Sequence, residues 1–177
     1  MTSKLYTMVT LERIDPFWDD EYKTLDYRNE EFNNQQDLTR WVYQGYRHDK
    51  FTGEMCDMRQ QQPTWNDQFI TYFKDLGWQD VCTSYYKMTT GTILPIHSDT
   101  YKNYKKVFNI NDASKIKRAL VFLEDWSSGH YLEVDGHPIV SWQRGNYIIW
   151  EHNTPHMASN IGTAPRYTLQ ITGHTNG

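Results

Sequence analysis

The chain has 177 residues, which is enough for a single domain spanning residues 1–177 and too few for a second domain of ordinary size. Its formal net charge is -4, which argues against a broad basic surface, so we expect no nucleic-acid partner. It lacks an apolar run of about 18 residues, and its first 25 residues are too charged for a secretory signal, so we expect a cytoplasmic protein with no membrane partner.

The first half of the chain has a mixed pattern, and we expect residues 1–80 to form a helical and strand region that supports the remainder. Residues 5–11, with the sequence LYTMVTL, are predicted as a strand. A helix is predicted after Asp37 because apolar side chains recur there at roughly helical spacing, at Leu38, Trp41, Val42 and Tyr46.

A second helix is predicted from residue 64 to residue 76. Thr64, which follows Pro63, is the predicted N-terminal cap, and Gly77 is the predicted stop. Between them lies one apolar stripe, made of Trp65, Phe69, Tyr72, Phe73 and Leu76. We expect this helix to pack against a sheet.

Residues 81–173 form short runs rich in Val, Ile, Thr and Tyr, separated by Gly, Pro, Asn and Asp. The predicted strands are 81–88, 92–97, 118–124, 130–134, 138–142, 146–150, 155–160 and 166–173. Eight short strands within about 100 residues indicate a barrel or a two-sheet jelly roll, a class that includes the cupins. The expected fold is therefore mostly β with supporting helices.

One connection, from Tyr101 to Lys117, is longer and more polar than the others. A loop of this kind over the mouth of a barrel is either a lid or a disordered insertion, and the sequence leaves both interpretations open.

A metal site is predicted from three side chains. The sequence LPIHSDTY puts His97 and Asp99 two residues apart at the end of a predicted strand, so both project from one face. With His156 from a later strand they form two imidazoles and one carboxylate, the set with which non-haem iron(II) binds a co-substrate and dioxygen together. His152 is an alternative to His156, and the spacing to Arg166 favours His156.

Two further residues are predicted to bind a carboxylate. Arg166 begins the last predicted strand, and Thr168 lies on the same face. A guanidinium with a nearby hydroxyl matches the distal carboxylate of a keto acid that chelates the metal. Arg118 opens another predicted strand, where it either points inward to a carboxylate or belongs to a solvated basic cluster that starts at Lys115.

These elements resemble those of the 2-oxoglutarate and iron(II)-dependent oxygenase superfamily, which is built on a double-stranded β-helix. The matching elements are H-x-D, a distal His and R-x-S/T, here His97-Ser98-Asp99, His156 and Arg166-Tyr167-Thr168. Residues 91–97, 141–150 and 156–166 are similar to the aspartyl/asparaginyl β-hydroxylase branch. Asp99 departs from that branch, which typically lacks the acidic ligand, and brings the chain closer to prolyl-hydroxylase-like enzymes.

The resemblance covers roughly residues 81–173, and it implies both an activity and a set of cofactors. Fe(II) would be the metal, and 2-oxoglutarate and O2 would be co-substrates, with release of succinate and CO2. The implied reaction is hydroxylation of an amino-acid side chain (Asp/Asn or Pro) in a peptide or protein, although a small-molecule amino-acid substrate stays open.

The resemblance also singles out Tyr86, because the family often directs a hydroxyl towards the co-substrate from this position. Tyr85 is the alternative if the strand parity differs by one residue. Asn160 either binds near the co-substrate or shapes a turn before Gly162.

A competing interpretation is a cupin-like protein without oxygen chemistry, either a metal-dependent isomerase or a ligand-binding module. Arg166 and Thr168 argue against it, since such a module has no need of a carboxylate-binding pair. The sequence leaves the oligomeric state open.

Overall fold

The structure, a computed structural model, describes residues 10–29, 32, 34–51 and 54–176. Its strands form two antiparallel sheets, and the predicted mostly β fold is confirmed. The strands are β1 (Glu12–Arg13), β2 (Tyr27–Asn29), β3 (Glu54–Cys56), β4 (Gln79–Met88), β5 (Thr92–His97), β6 (Ile116–Phe122), β7 (His130–Val134), β8 (His137–Ile139), β9 (Asn146–Glu151), β10 (His156–Asn160) and β11 (Arg166–His174).

Three α-helices accompany the sheets, namely α1 (Gln35–Tyr43), α2 (Asn66–Asp75) and α3 (Lys102–Phe108). Short 3-10 turns lie at Asp20–Thr24, His48–Lys50 and Ala113–Lys115. None of the helices in the described part of the chain has the length and apolar character needed to cross a membrane.

The larger sheet has seven strands in the order β1-β9-β6-β11-β4-β3-β2, and the smaller has four in the order β5-β10-β7-β8. Each of the eight predicted strands corresponds to one of β4 to β11, with ends that differ by at most a few residues. The short strands β1, β2 and β3 from the first half of the chain extend the larger sheet at both edges.

The larger sheet is buried on both faces, because alternate side chains of its central strands point in opposite directions. Leu169 and Ile171 of β11 belong to an apolar cluster with Phe69 and Phe73 of α2. The opposite face, which carries Leu120 and Phe122 of β6, packs with Leu132, Val134 and Ala158 of the smaller sheet. Apolar side chains therefore fill part of the space between the two sheets.

The predicted capping of α2 is wrong. Trp65, rather than Thr64, occupies the N-cap position, and no side-chain cap bond is made there. The backbone N–H and the hydroxyl of Thr64 instead donate to the Glu21 carboxylate, at 2.9 and 2.8 Å. The predicted stop is confirmed, since Gly77 has a φ of +86° directly after the helix, a conformation that glycine adopts most easily.

The first half of the chain agrees in part with its predictions. The helix predicted after Asp37 is confirmed as α1, which buries Trp41 completely and ends before Tyr46. Of the strand predicted at residues 5–11, residues 5–9 lie outside the described residues, and residues 10 and 11 are not in a strand.

The long connection after β5 contains α3 and a 3-10 turn, so it is not an insertion without regular structure. Tyr104 attaches α3 to the larger sheet. Its hydroxyl lies 3.0 Å from the carbonyl of Asp80 and 3.1 Å from Nδ1 of His174, the last residue of β11. This attachment holds α3 against one end of the cavity.

Asn160 shapes the turn that joins β10 to β11. Its side chain is fully buried, and its Nδ2 donates to the carbonyls of Met88 and Ala164, both at 2.8 Å. Its Oδ1 accepts from the backbone N–H of Gly162 at 3.0 Å. Backbone groups thus use both the nitrogen and the oxygen of this amide, as expected of a residue that shapes the turn.

Replacing this amide should destabilise the protein. In Asn160→Ala, buried backbone groups lose their partners, which should lower the free energy of unfolding by about 1–3 kcal/mol. Urea denaturation measures this change, and Asn111→Ala, an exposed loop position, is the matched control. Equal unfolding midpoints for the two variants would contradict the assignment.

Candidate metal centre

The pairing of β5 with β10 brings two histidines together. His97 ends β5, His156 begins β10, and the two are direct partners in the antiparallel register. Both are buried, and their ring centroids lie 4.3 Å apart. Asp99, two residues beyond His97, completes a group whose ligand atoms all lie within 4.8 Å of one another.

Hydrogen bonds fix the orientation of both rings. Nδ1 of His97 lies 2.8 Å from the carbonyl of Pro95, and Nδ1 of His156 lies 3.0 Å from the carbonyl of Thr154. A carbonyl only accepts, so each Nδ1 carries the proton and each Nε2 has a free lone pair. The two Nε2 atoms face Asp99, each 4.0 Å from one of its carboxylate oxygens. This tautomer is the one that binds a metal through Nε2.

The carboxylate of Asp99 is held by Arg118 of β6. Nε and Nη2 of the guanidinium donate to the same oxygen, Oδ2, at 3.2 and 2.9 Å. The inward orientation, one of two left open by the sequence, is thus the one adopted by Arg118.

Burial and charge set the ionisation of the three side chains. Burial lowers the pKa of His97 to about 4, with a further contribution from His156, and burial also lowers the pKa of His156. Burial alone would raise the pKa of Asp99, but the Arg118 guanidinium and the two histidines hold it at about 2. At neutral pH the group therefore consists of two neutral imidazoles and one carboxylate, the forms that bind metal ions.

Aromatic rings surround the histidines. Phe32 and Trp41 contact His97 edge-on, with centroid distances of 5.1 and 5.9 Å, and the Trp150 ring lies 5.0 Å from that of His156. The outer edge of β5 is also fixed, because Trp41 Nε1 and Arg40 Nη2 both donate to the carbonyl of Ile96. These contacts keep the histidines in place and limit the access of water.

The group opens into a cavity of about 530 Å³ between the two sheets. Alternate residues of β11 line it, namely Arg166, Thr168, Gln170 and Thr172. From the neighbouring strand β4, Tyr86 also lines the cavity, whereas Tyr85 points to the opposite face and donates to Asn66. Both predicted carboxylate-binding residues and Tyr86 therefore lie at the same cavity as the three predicted metal ligands.

Arg166 is a buried cation that has no counter-charge within the described part of the chain. Its Nη1 donates to the carbonyl of Tyr131 at 2.7 Å, and its Nε is buried without a hydrogen-bond partner. Among the described residues, no carboxylate lies within 4.0 Å of the guanidinium. Burial alone lowers the pKa of Arg166 to about 10, which is the direction expected of a desolvated cation.

Two features of the site were not predicted from sequence. Tyr101 has a left-handed backbone, with a φ of +50°, and its ring lies 5.2 Å from the Arg118 guanidinium. Its buried hydroxyl makes no hydrogen bond of good geometry with the described residues, and burial raises its pKa to about 12. The α3 helix is the second, and the helical spacing of Tyr104, Val107 and Phe108 is the signal that could have identified it. His152 lies outside the metal-binding group.

No protein-family model and no curated protein matches the chain. Among solved structures, a prolyl-4-hydroxylase from Pseudomonas putida is 16% identical with a TM-score of 0.54, covering 89% of this chain and 97% of that chain. A predicted oxalate decarboxylase from Thermotoga maritima is 10% identical (TM-score 0.40, 70% and 81% covered), and a cupin protein from Bacteroides fragilis is 15% identical (0.39, 56% and 70%). The likeness to the prolyl-4-hydroxylase is one of fold, and with the two antiparallel sheets it agrees with the predicted double-stranded β-helix.

Loss of either histidine should abolish tight metal binding. In His97→Ala and His156→Ala the Mn(II) affinity should fall by more than roughly 10- to 100-fold, the loss that is typical when only a hydrogen-bond partner of a metal ligand is removed. Titration followed by Mn(II) EPR measures this. His152→Ala, from the same segment of the chain, should keep the wild-type affinity, and the reverse order of effects would refute the ligand assignment.

Proposed function

We propose that this chain is an iron(II)- and 2-oxoglutarate-dependent oxygenase that hydroxylates an amino-acid side chain in a peptide or protein. The metal would be held by His97, Asp99 and His156. Two imidazoles and one carboxylate favour iron(II) because they occupy one face of the ion and leave three positions open. The free Nε2 lone pairs and the ionised Asp99 are consistent with this choice.

The observation that carries the co-substrate assignment is the buried, uncompensated guanidinium of Arg166. A buried charge without a partner is costly, so a protein rarely keeps one unless a ligand neutralises it. The planar fork of arginine suits a carboxylate, and Thr168 offers a hydroxyl on the same face of β11. Both features support binding of the distal carboxylate of 2-oxoglutarate.

The spacing along the smaller sheet agrees with this assignment. Arg166 donates to Tyr131, and Tyr131 pairs with Ser159, three residues beyond His156 on β10. Three residues of a strand span roughly 10 Å. A five-carbon dicarboxylate can therefore extend from the metal ligands to the guanidinium.

The residues of this chain would position the co-substrate and exclude water, and they would not carry out the oxidation itself. Arg166 and Thr168 would anchor one end of the co-substrate. Tyr86 would donate a hydrogen bond to it from its hydroxyl, and Trp150 would keep water from the histidines. Bound iron(II), 2-oxoglutarate and dioxygen supply the oxidation, in which one oxygen atom enters a substrate C–H bond and the keto acid becomes succinate and CO2.

The proposed substrate class rests on the sequence resemblance to aspartyl/asparaginyl β-hydroxylases, together with Asp99, which prolyl-hydroxylase-like enzymes share. Asp, Asn and Pro side chains are accordingly the first to test. The alternative of a cupin-like isomerase or binding module makes no use of the Arg166 carboxylate site.

Arg166→Met tests the co-substrate assignment. Removing an unpaired buried cation should leave the melting temperature of the apo protein equal to or above that of the wild type. The extra stabilisation that N-oxalylglycine gives in the presence of Mn(II) should be lost, because truncating one partner of a buried charge pair costs about 2–5 kcal/mol of binding. A thermal-shift titration measures both quantities.

Arg144→Met is the matched control. Arg144 is a partly buried arginine outside the cavity, and it donates to the carbonyl of Trp18. This variant should melt at a lower temperature yet keep the N-oxalylglycine response. If the wild type itself showed no response to N-oxalylglycine, or if Arg166→Met kept the full response, the co-substrate assignment would be wrong.

A further inference from the structure

The guanidinium of Arg118 engages only one oxygen of Asp99. Both of its donating nitrogens bind Oδ2, and Oδ1 makes no bond to the guanidinium. Oδ1 lies 4.0 Å from Nε2 of His97, and Oδ2 lies 4.0 Å from Nε2 of His156, so each oxygen faces one histidine. The two oxygens differ in that Oδ2 already accepts two N–H bonds from the guanidinium, whereas Oδ1 accepts none from it.

Arg118 is held rigidly enough to maintain this difference. It lies on the central strand β6, between Thr172 of β11 and Trp150 of β9. The ring of Tyr101 lies over the other side of the guanidinium, and only 13% of the Arg118 side chain is exposed.

The number of oxygens that Asp99 gives to the metal decides how many positions stay open. Carboxylates bind metals through one oxygen or through both. With two histidines and one oxygen, a six-coordinate ion keeps three positions, enough for a chelating keto acid and dioxygen. With both oxygens bound it keeps two, and the keto acid would fill them.

We propose that Arg118 is a positioning residue that keeps Asp99 a one-oxygen ligand and so preserves the third open position of the metal. This inference rests on the proposed function. Arg118 acts through Asp99, and Tyr101 contributes by covering the guanidinium and excluding water from the ion pair.

The test is whether two ligands bind the iron at once. Nitric oxide stands in for dioxygen, and N-oxalylglycine stands in for the keto acid. In the wild-type Fe(II) protein, the iron–nitrosyl complex should form to the same extent with and without N-oxalylglycine, whereas N-oxalylglycine should change the shape of its EPR spectrum. In Arg118→Met, N-oxalylglycine should displace the nitrosyl signal, and the affinity for Fe(II) should fall by about 10- to 100-fold.

A purely structural role for Arg118 would lower the melting temperature without making the two ligands compete. Arg118→Leu, which also removes both donors to Oδ2, should show the same competition and replaces Arg118→Met if that variant does not fold. Arg144→Met should melt at a lower temperature but should bind both ligands at once, as the wild type does. Simultaneous binding and wild-type Fe(II) affinity in a folded Arg118→Met or Arg118→Leu protein would overturn the proposal.

Failure of the underlying function gives a different result. If the site were not an iron site, His97→Ala would retain Fe(II), and if it did not bind a keto acid, N-oxalylglycine would leave the wild-type nitrosyl spectrum unchanged. The competition experiment is interpreted only against a wild type that passes both of these controls, so a negative result concerns Arg118 alone.

Discussion

The structure of the site depends on one backbone constraint, the antiparallel register that makes His97 and His156 direct partners on neighbouring strands. Paired residues on one face of a sheet have side chains about 5 Å apart, which is close enough to share one ion. Asp99 lies only two residues beyond His97, so its carboxylate reaches the same group. A shift of the register by one residue would move one histidine to the other face of the sheet and leave a single imidazole.

Two buried arginines give this cavity its electrostatic character, and they differ in one respect. Arg118 has a carboxylate partner, and its pKa is raised, whereas Arg166 has no such partner among the described residues, and its pKa is lowered. In the proposed function, the first guanidinium stabilises the carboxylate ligand of the metal. The second would bind the distal carboxylate of the co-substrate.

The sequence predicted the sheets well because short runs rich in Val, Ile, Thr and Tyr between Gly, Pro, Asn and Asp are a local signal, and each strand from β4 to β11 overlaps such a run. The resemblance pointed to Tyr86 and left Tyr85 as the alternative, and the register of the structure pairs Tyr86 with Thr168 at the cavity and separates both from Tyr85. Contacts between distant segments were not predictable. Thr64 bonds to Glu21 rather than capping its own helix, and the orientation of Arg118 depends on Asp99, which lies on a different element.

The first half of the chain carries no recognisable motif, yet it covers the outer edge of β5, the strand that ends at His97. β5 is an edge strand of the smaller sheet, and its outer side is covered by two donors from α1 to Ile96 and by a bridge from Phe51 to Ile93. An uncovered edge strand is a template to which another chain can add. A fragment that began at β4 would therefore expose the edge of β5 to its own copies, and self-association would compete with the native pairing of His97 and His156.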